Sequence, residues 1–200
     1  LGLRDFIQRT GAPKEQLNLL IRIGAFRCTG RSKQQLLWEK NNYLLSKPMP
    51  VAPSLLPEVA EDDFFADFEV RAFEDVFDQI DLLGFPLCSP FEILKNKDLG
   101  TIVLADDMRL HLRQTVRMAG YYVARKDTRT SKGDLMNFGT WVDEKGRFFD
   151  TVHFPPQLKA YPFTGKGCYL LLGKIVEEFD FCMMEVQKMV KLPMIDDPRY

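Results

Sequence analysis

The chain has little cysteine, little histidine, no long apolar run and no excess of charge, and each shortage narrows what it can do. Its four cysteines, Cys28, Cys88, Cys168 and Cys182, lie far apart with no CxxC pair, and His111 and His153 stand alone. Such spacing argues against a zinc site and predicts reduced thiols of a cytoplasmic protein. No stretch approaches the roughly 18 to 20 apolar residues of a membrane span. The opening LGLRDFIQRTG lacks the apolar stretch and small-residue cleavage site of a signal peptide, so no membrane partner is expected. That opening reads as an amphipathic helix begun without methionine, which predicts a piece of a longer protein.

What is present is enough apolar content, 46% of 200 residues, for one medium domain or two small ones. The net charge of −1 conceals a division. Residues 1–47 hold nine lysines and arginines against three acids, 48–111 hold four against fourteen, and 112–200 hold fourteen against eleven. Basic ends concentrate polyanions through their local field, whereas the acidic middle is repelled by phosphate. Candidate nucleic-acid sites therefore belong to the ends.

The pattern in 1–47 is helical. Leu3, Phe6 and Ile7 recur at helix spacing, Pro13 and Glu15 open a second helix with Leu17, Leu20 and Ile21, and Gly24 stops it. Ser32 can cap a third helix that buries Leu36 and Leu37. Four prolines between Pro48 and Glu58 predict an extended linker, and an acidic helix is expected over 69–83. From Leu112 the period becomes strand-like, with strands expected at 115–126, 135–142, 147–154, 168–178 and 181–192 and a short helix between the third and fourth. Five strands in that order predict an OB-fold, a small Greek-key β-barrel whose tight curl needs glycine or a bulge, as at Gly120 and Gly173. The predicted class is α+β, divided as 1–47 helical, 48–111 acidic linker and connector helix, 112–193 barrel and 194–200 tail.

Two sets of residues could carry chemistry. In GAFRCTGRSK, Gly24 permits a tight turn, Thr29, Gly30 and Ser32 leave backbone amides accessible ahead of a helix N-terminus, and Arg27, Arg31 and Lys33 surround them with charge. One phosphate could be held there, without base identity; an ordinary hairpin with a solvated basic rim is the alternative. In the barrel, Arg125, Lys126, Arg129 and Lys132 crowd the loop between the first two strands, with only Asp127 opposing them in those eight residues. Single-stranded nucleic acid needs such cations and exposed rings for stacking, for which Tyr122, Phe138, Trp141, Phe148 and Phe149 are candidates. Alternation puts Phe138 and Trp141 on opposite faces of an unbulged strand, so one of them belongs to the core. His153 reads as a strand residue without catalytic duty. Phe64, Phe65 and Phe68 among acids read as a solvated segment or a protein-docking one.

In joint order, these stretches resemble the alpha subunit of bacterial DNA polymerase III, the C-family replicative polymerase. LNLLIRIGAFRCTGRSKQQLLWE is similar to the second unit of that family's tandem helix-hairpin-helix domain, IDLLGFPLCSPFEIL to its connector, and VARKDTRTSKGDLMNFGTWVDEKGRFFDTVHFP to its OB domain. The resemblance implies DNA-directed DNA synthesis by the parent protein with a divalent metal such as Mg. No palm aspartates match within this chain, so no catalytic residue and no cofactor are expected in it. It implies duplex DNA backbone at Gly24, Arg27, Thr29, Gly30, Arg31, Ser32 and Lys33. It implies single-stranded template at Tyr122, Arg125, Lys126, Arg129, Lys132, Phe138, Trp141 and Phe149. Other replicase subunits are implied as partners, and a sliding clamp only through a degenerate motif: the family's Gln-x-x-Leu/Met-Phe is here reduced to APSLL at 52–56. Gln34, Leu37 and Trp38 fit that spacing better, on a helix whose apolar residues are expected to be buried.

Overall fold

The computed structural model describes residues 2–45 and 71–200. The proline-rich stretch, APSLL, the acidic phenylalanines and the first residues of the expected acidic helix lie outside the described residues. The chain divides into two compact units, one from the described residues of 1–87 together with Asp197–Tyr200, the other Cys88–Asp196.

The first unit holds helices α1 (Leu3–Thr10), α2 (Lys14–Arg22), α3 (Lys33–Leu45) and α4 (Glu74–Leu83), with a short 3-10 turn at Arg27–Thr29. Leu3 and Ile7, and Leu17 and Ile21, are four apart, so each pair forms a stripe on one helix face; with Phe26 and Leu36 they close a small core. Ser32 caps α3 as expected: its Oγ accepts from the Gln35 amide at 3.2 Å while Gln35 Oε1 accepts from the Ser32 amide at 2.9 Å, a reciprocal capping box. Helix α4 begins at Glu74, not at Glu69, because Phe73 has φ of 64° and a left-handed residue ends the helix there.

The second unit is a closed five-stranded barrel in the order β1-β2-β3-β5-β4, with β1 Thr115–Arg129, β2 Leu135–Val142, β3 Phe148–His153, β4 Cys168–Glu178 and β5 Phe181–Lys191. Helix α5 (Pro155–Ala160) joins β3 to β4. This is the OB-fold order. Strand β1 runs three residues past its expected end, because the polar Asp127, Thr128 and Arg129 continue the ladder against Asn137, Met136 and Leu135. The barrel interior is filled by Met118, Trp141, Phe149, Tyr169, Leu171, Ile175 and Met184. At Gly173, beside the Leu172/Gly173 register shift, a Cβ would collide with the Glu185 carbonyl and the Met184 side chain, which explains why the curl is placed there.

Residues 88–111, assigned from sequence to a separate connector, belong to the barrel unit. Phe91 and Leu94 pack with Ala119, Tyr121 and Cys168, and the backbones of Lys95 and Ile93 exchange hydrogen bonds with Pro193 and Ile195. The final four residues return to the helical unit, where Arg199 pairs with Asp78 and Asp81.

Candidate nucleic-acid interface

The barrel's register sorts its side chains into two faces. Lys126 lies opposite Phe138 and Phe138 opposite Val152; Ala124, Thr140 and Asp150 form the next row; Val142 and Phe148 form the one after. These residues share the outer face, where Val152 is nevertheless covered at 4% exposure, while Asn137, Gly139, Trp141, Phe149, Thr151 and His153 point in. Phe138 is 37% exposed and stands beside the lysine of the β1–β2 hairpin. Arg125, Lys126, Arg129 and Lys132 are all exposed. Arg129 Nη1 donates to the Gly133 carbonyl at 2.8 Å, which holds the hairpin tip together. Arg125 is paired with Asp127 at 2.8 Å and lies 5.4 Å from the Phe163 ring centroid. Lys126 shares the outward face of Phe138, while Arg125 and Arg129, on the parity of Gly139 and Leu135, lie on the other face of the projecting hairpin. The hairpin thus carries cations on both faces beside one outward ring, the two elements a single strand of nucleic acid needs.

Two of the rings expected to stack on bases are not on this surface. Trp141 is fully buried and Phe149 is 4% exposed. Trp141 donates from Nε1 to Thr151 Oγ1 at 2.7 Å, and Phe163 stacks on it at 5.7 Å with an 18° interplanar angle. Tyr122 is half-buried in the barrel mouth, against Trp141 and Phe163, with Lys166 Nζ 5.4 Å above its ring. In their place the structure offers Phe148, 67% exposed. The signal for it was in the sequence: one of Phe148 and Phe149 must face out, and the polar Asp150 shares parity with Phe148.

His153 lies inside, with no exposed surface, its Nε2 2.9 Å from Thr151 Oγ1 and its Nδ1 without a partner. Burial lowers its pKa to about 4, so it is neutral at ordinary pH.

The helical hairpin has the glycine turns expected of it but neither the accessible amides nor the free charge. The Gly24, Thr29 and Gly30 amides donate to the Ile21, Phe26 and Arg27 carbonyls, and the Ser32 amide to Gln35 Oε1, because the turn closes on itself. Gly24 and Gly30 have φ of 76° and 70°, values that favour glycine. Arg27 is exposed and its Nε donates to the Gly24 carbonyl at 3.1 Å. Thr29 Oγ1 donates to the Phe26 carbonyl at 2.7 Å, and Arg31 Nη1 pairs with the buried Glu39 at 2.5 Å. Lys33 departs most from expectation. It is buried, and its Nζ lies 2.7 Å from both Glu74 and Asp78 and 3.1 Å from Asp75. Burial acts to lower the Lys33 pKa, but hydrogen bonds to Asp78, Glu74 and Asp75 outweigh it and leave it raised. Asp78, desolvated but bonded by Arg22 and Lys33, is held below its ordinary value. The acids of α4 thus occupy a cation assigned from sequence to phosphate, because charge from a distant segment is invisible to local reading. Gln34, weighed for the clamp motif, donates to Glu74 at 3.2 Å.

Among the described residues no helix is long and apolar enough to cross a membrane, and no group of three or more His, Cys, Asp or Glu side chains is placed to hold a metal ion.

No family model matches the chain. An error-prone DNA polymerase of Bradyrhizobium diazoefficiens is 26% identical over 177 residues, covering 86% of this chain but 15% of that polymerase, so the chain spans a small part of its relative. Among solved structures, the chain is similar to the single-stranded DNA binding protein of Thermus aquaticus, with a TM-score of 0.36, 15% identity and 41% of each chain covered. It is also similar to the second OB-fold domain of replication protein A from Methanococcus maripaludis, with a TM-score of 0.31, 10% identity, and 40% of this chain and 85% of that one covered.

Proposed function

We propose that this chain is a DNA-binding portion of a replicative polymerase of the DNA polymerase III alpha type, its barrel holding single-stranded template and its helical unit meeting duplex backbone as a helix-hairpin-helix. The observation that carries the reading is the set of exposed cations on the β1–β2 hairpin, with Lys126 directly beside the outward Phe138 on β2. The polymerase relative supports the same reading. Template-directed nucleotidyl transfer with Mg belongs to the parent protein and is assigned to no residue here. Replicase subunits, and a sliding clamp if the degenerate 52–56 motif serves, are the partners of a cytoplasmic parent.

In the barrel, Arg125, Lys126, Arg129 and Lys132 neutralise phosphates while Phe138 stacks on a base, so binding is salt-sensitive and indifferent to sequence. Phe148 offers a second outward ring, about 13 Å further along the sheet by strand rise. In the helical unit, the exposed Arg27 meets the duplex backbone at the 24–32 turn with Arg31 beside it, and Lys33 supports the turn from within, since the amides of Gly24, Thr29, Gly30 and Ser32 are already bonded inside the protein.

The test is fluorescence anisotropy with a labelled oligothymidine and a labelled duplex over a salt series. Reversing Arg125, Lys126, Arg129 and Lys132 to Glu should cut single-strand affinity at least tenfold while sparing duplex affinity. It should also flatten a log-log salt slope that four phosphate contacts set at about −2.8. Unchanged single-strand binding in that variant removes the hairpin from the site.

A further inference from the structure

The end of the barrel away from the basic hairpin carries a different surface. Strands β1 and β4 are antiparallel, so the β4–β5 turn lies at the end opposite the β1–β2 hairpin. Its two central residues, Phe179 and Asp180, have φ of 50° and 66°, the conformation of a type I′ hairpin turn. Such positions favour glycine and asparagine, and a bulky ring there is a costly choice. Phe179 is nevertheless fully exposed, at 102%, and gains no packing from its place. Phe181, next to the turn, is 50% exposed.

The apolar surface continues around the barrel. Asp150 pairs with Met183, and carrying that parallel register two residues back sets Phe148 beside Phe181 on the outward face. Val142, paired with Phe148, and Val176, paired with Met183, extend it. Exposed apolar surface of this extent marks contact sites. The turn does not suit nucleic acid, because Glu177, Glu178 and Asp180 surround Phe179 and repel phosphate. Arg109 is the cation that meets them: its Nη2 donates to the Asp180 carbonyl at 2.6 Å and lies 3.6 Å from Glu177, which fixes the turn in place.

We propose that the β4–β5 turn, with Phe179 and Phe181, is a protein-docking knob whose partner presents an apolar pocket ringed by lysine and arginine. Charge complementarity selects this occupant. Of the three carboxylates at the rim of the aromatic projection, Glu177 and Asp180 share Arg109 at 3.6 and 3.9 Å. This leaves a net negative rim that matches a cationic protein surface and disfavours the phosphate-rich ligand proposed for the opposite end. The partner inserts no group into the barrel; Phe179 inserts into the partner, and the acids set orientation.

The test selects a phage-displayed library of random twelve-residue peptides on the immobilised full chain. The variant is Phe179→Asn with Phe181→Thr, in which asparagine suits the left-handed position and threonine suits the strand, so the thermal midpoint should hold or rise. Enriched peptides should combine large apolar residues with Lys or Arg, and should lose at least tenfold affinity for the variant and for Glu178→Lys. Oligothymidine affinity should be the same in all three proteins. Absence of enrichment, or peptides indifferent to both variants, overturns the proposal. So does a tenfold loss of oligothymidine affinity in the phenylalanine variant, which assigns the turn to nucleic acid.

Discussion

The helical hairpin and the β1–β2 hairpin are equally basic in sequence, yet they use their cations in different ways. In the helical unit Lys33 reaches three carboxylates of α4, Arg31 reaches Glu39, and Arg22 and Arg199 converge on Asp78. In the barrel unit Arg125, Lys126, Arg129 and Lys132 stay on the surface, where Arg125 pairs with Asp127. A cation enclosed by acids holds a fold together, because removing either partner strands a buried charge. A cation left in water is available to a ligand and adds little to stability. A basic stretch therefore reveals a binding site only once the position of every acid is known.

The largest effect that would test this contrast is expected at Asp78. Asp78→Ala leaves Lys33 and Arg22 without their shared carboxylate and should destabilise the helical unit by about 3 to 5 kcal/mol, seen as an early transition in thermal or urea unfolding. Lys33→Glu should behave alike, with lost structure preceding any loss of duplex binding. If Lys33→Glu leaves unfolding unchanged and weakens only duplex DNA, the contrast fails and Lys33 returns to the phosphate site.

The two units should also differ in their response to acid. His153 must take up a proton on unfolding, so the neutral buried form stabilises the barrel fully above its unfolded pKa of about 6.5. That stability is lost as pH falls from about 6.5 to about 4, by roughly 3 kcal/mol in all. Asp78, with a depressed pKa, stabilises the helical unit above the ordinary carboxylate value of about 3.9 and loses that contribution only at lower pH. Urea unfolding from pH 7 to 4.5 should show the barrel weakening first, and His153→Asn should flatten its pH dependence. A barrel whose midpoint is constant over that range would remove His153 from the account.

Smaller effects separate surface rings from core rings. Phe138→Ala should weaken oligothymidine binding by about 1 to 3 kcal/mol, the worth of one stacked base, with an unchanged unfolding midpoint. Trp141→Ala should do the reverse, lowering stability because its indole fills the core and bonds Thr151. Smallest of all, Ser32→Ala should cost about 1 kcal/mol of helical-unit stability by removing half of the capping box, read from its urea midpoint.

The sequence by itself determined what depends on near neighbours. Alternation located β2 and β4 at their observed bounds, helix spacing located the stripes of Leu3 and Ile7 and of Leu17 and Ile21, and Ser32 announced the cap of α3. The order of strands and helix was sufficient for the OB-fold. Tertiary structure alone decided which cations remain for a ligand and which of Phe138 and Trp141 faces out. Lys33 meets Asp78, 45 residues later in the chain, and Trp141 is enclosed by Phe163 and Thr151 from other segments of the barrel. Alternation says that neighbours face opposite ways, but only closure of the barrel says which way is in. A pairing across 45 residues carries no periodicity, and its energy appears only when folding brings both charges out of water together.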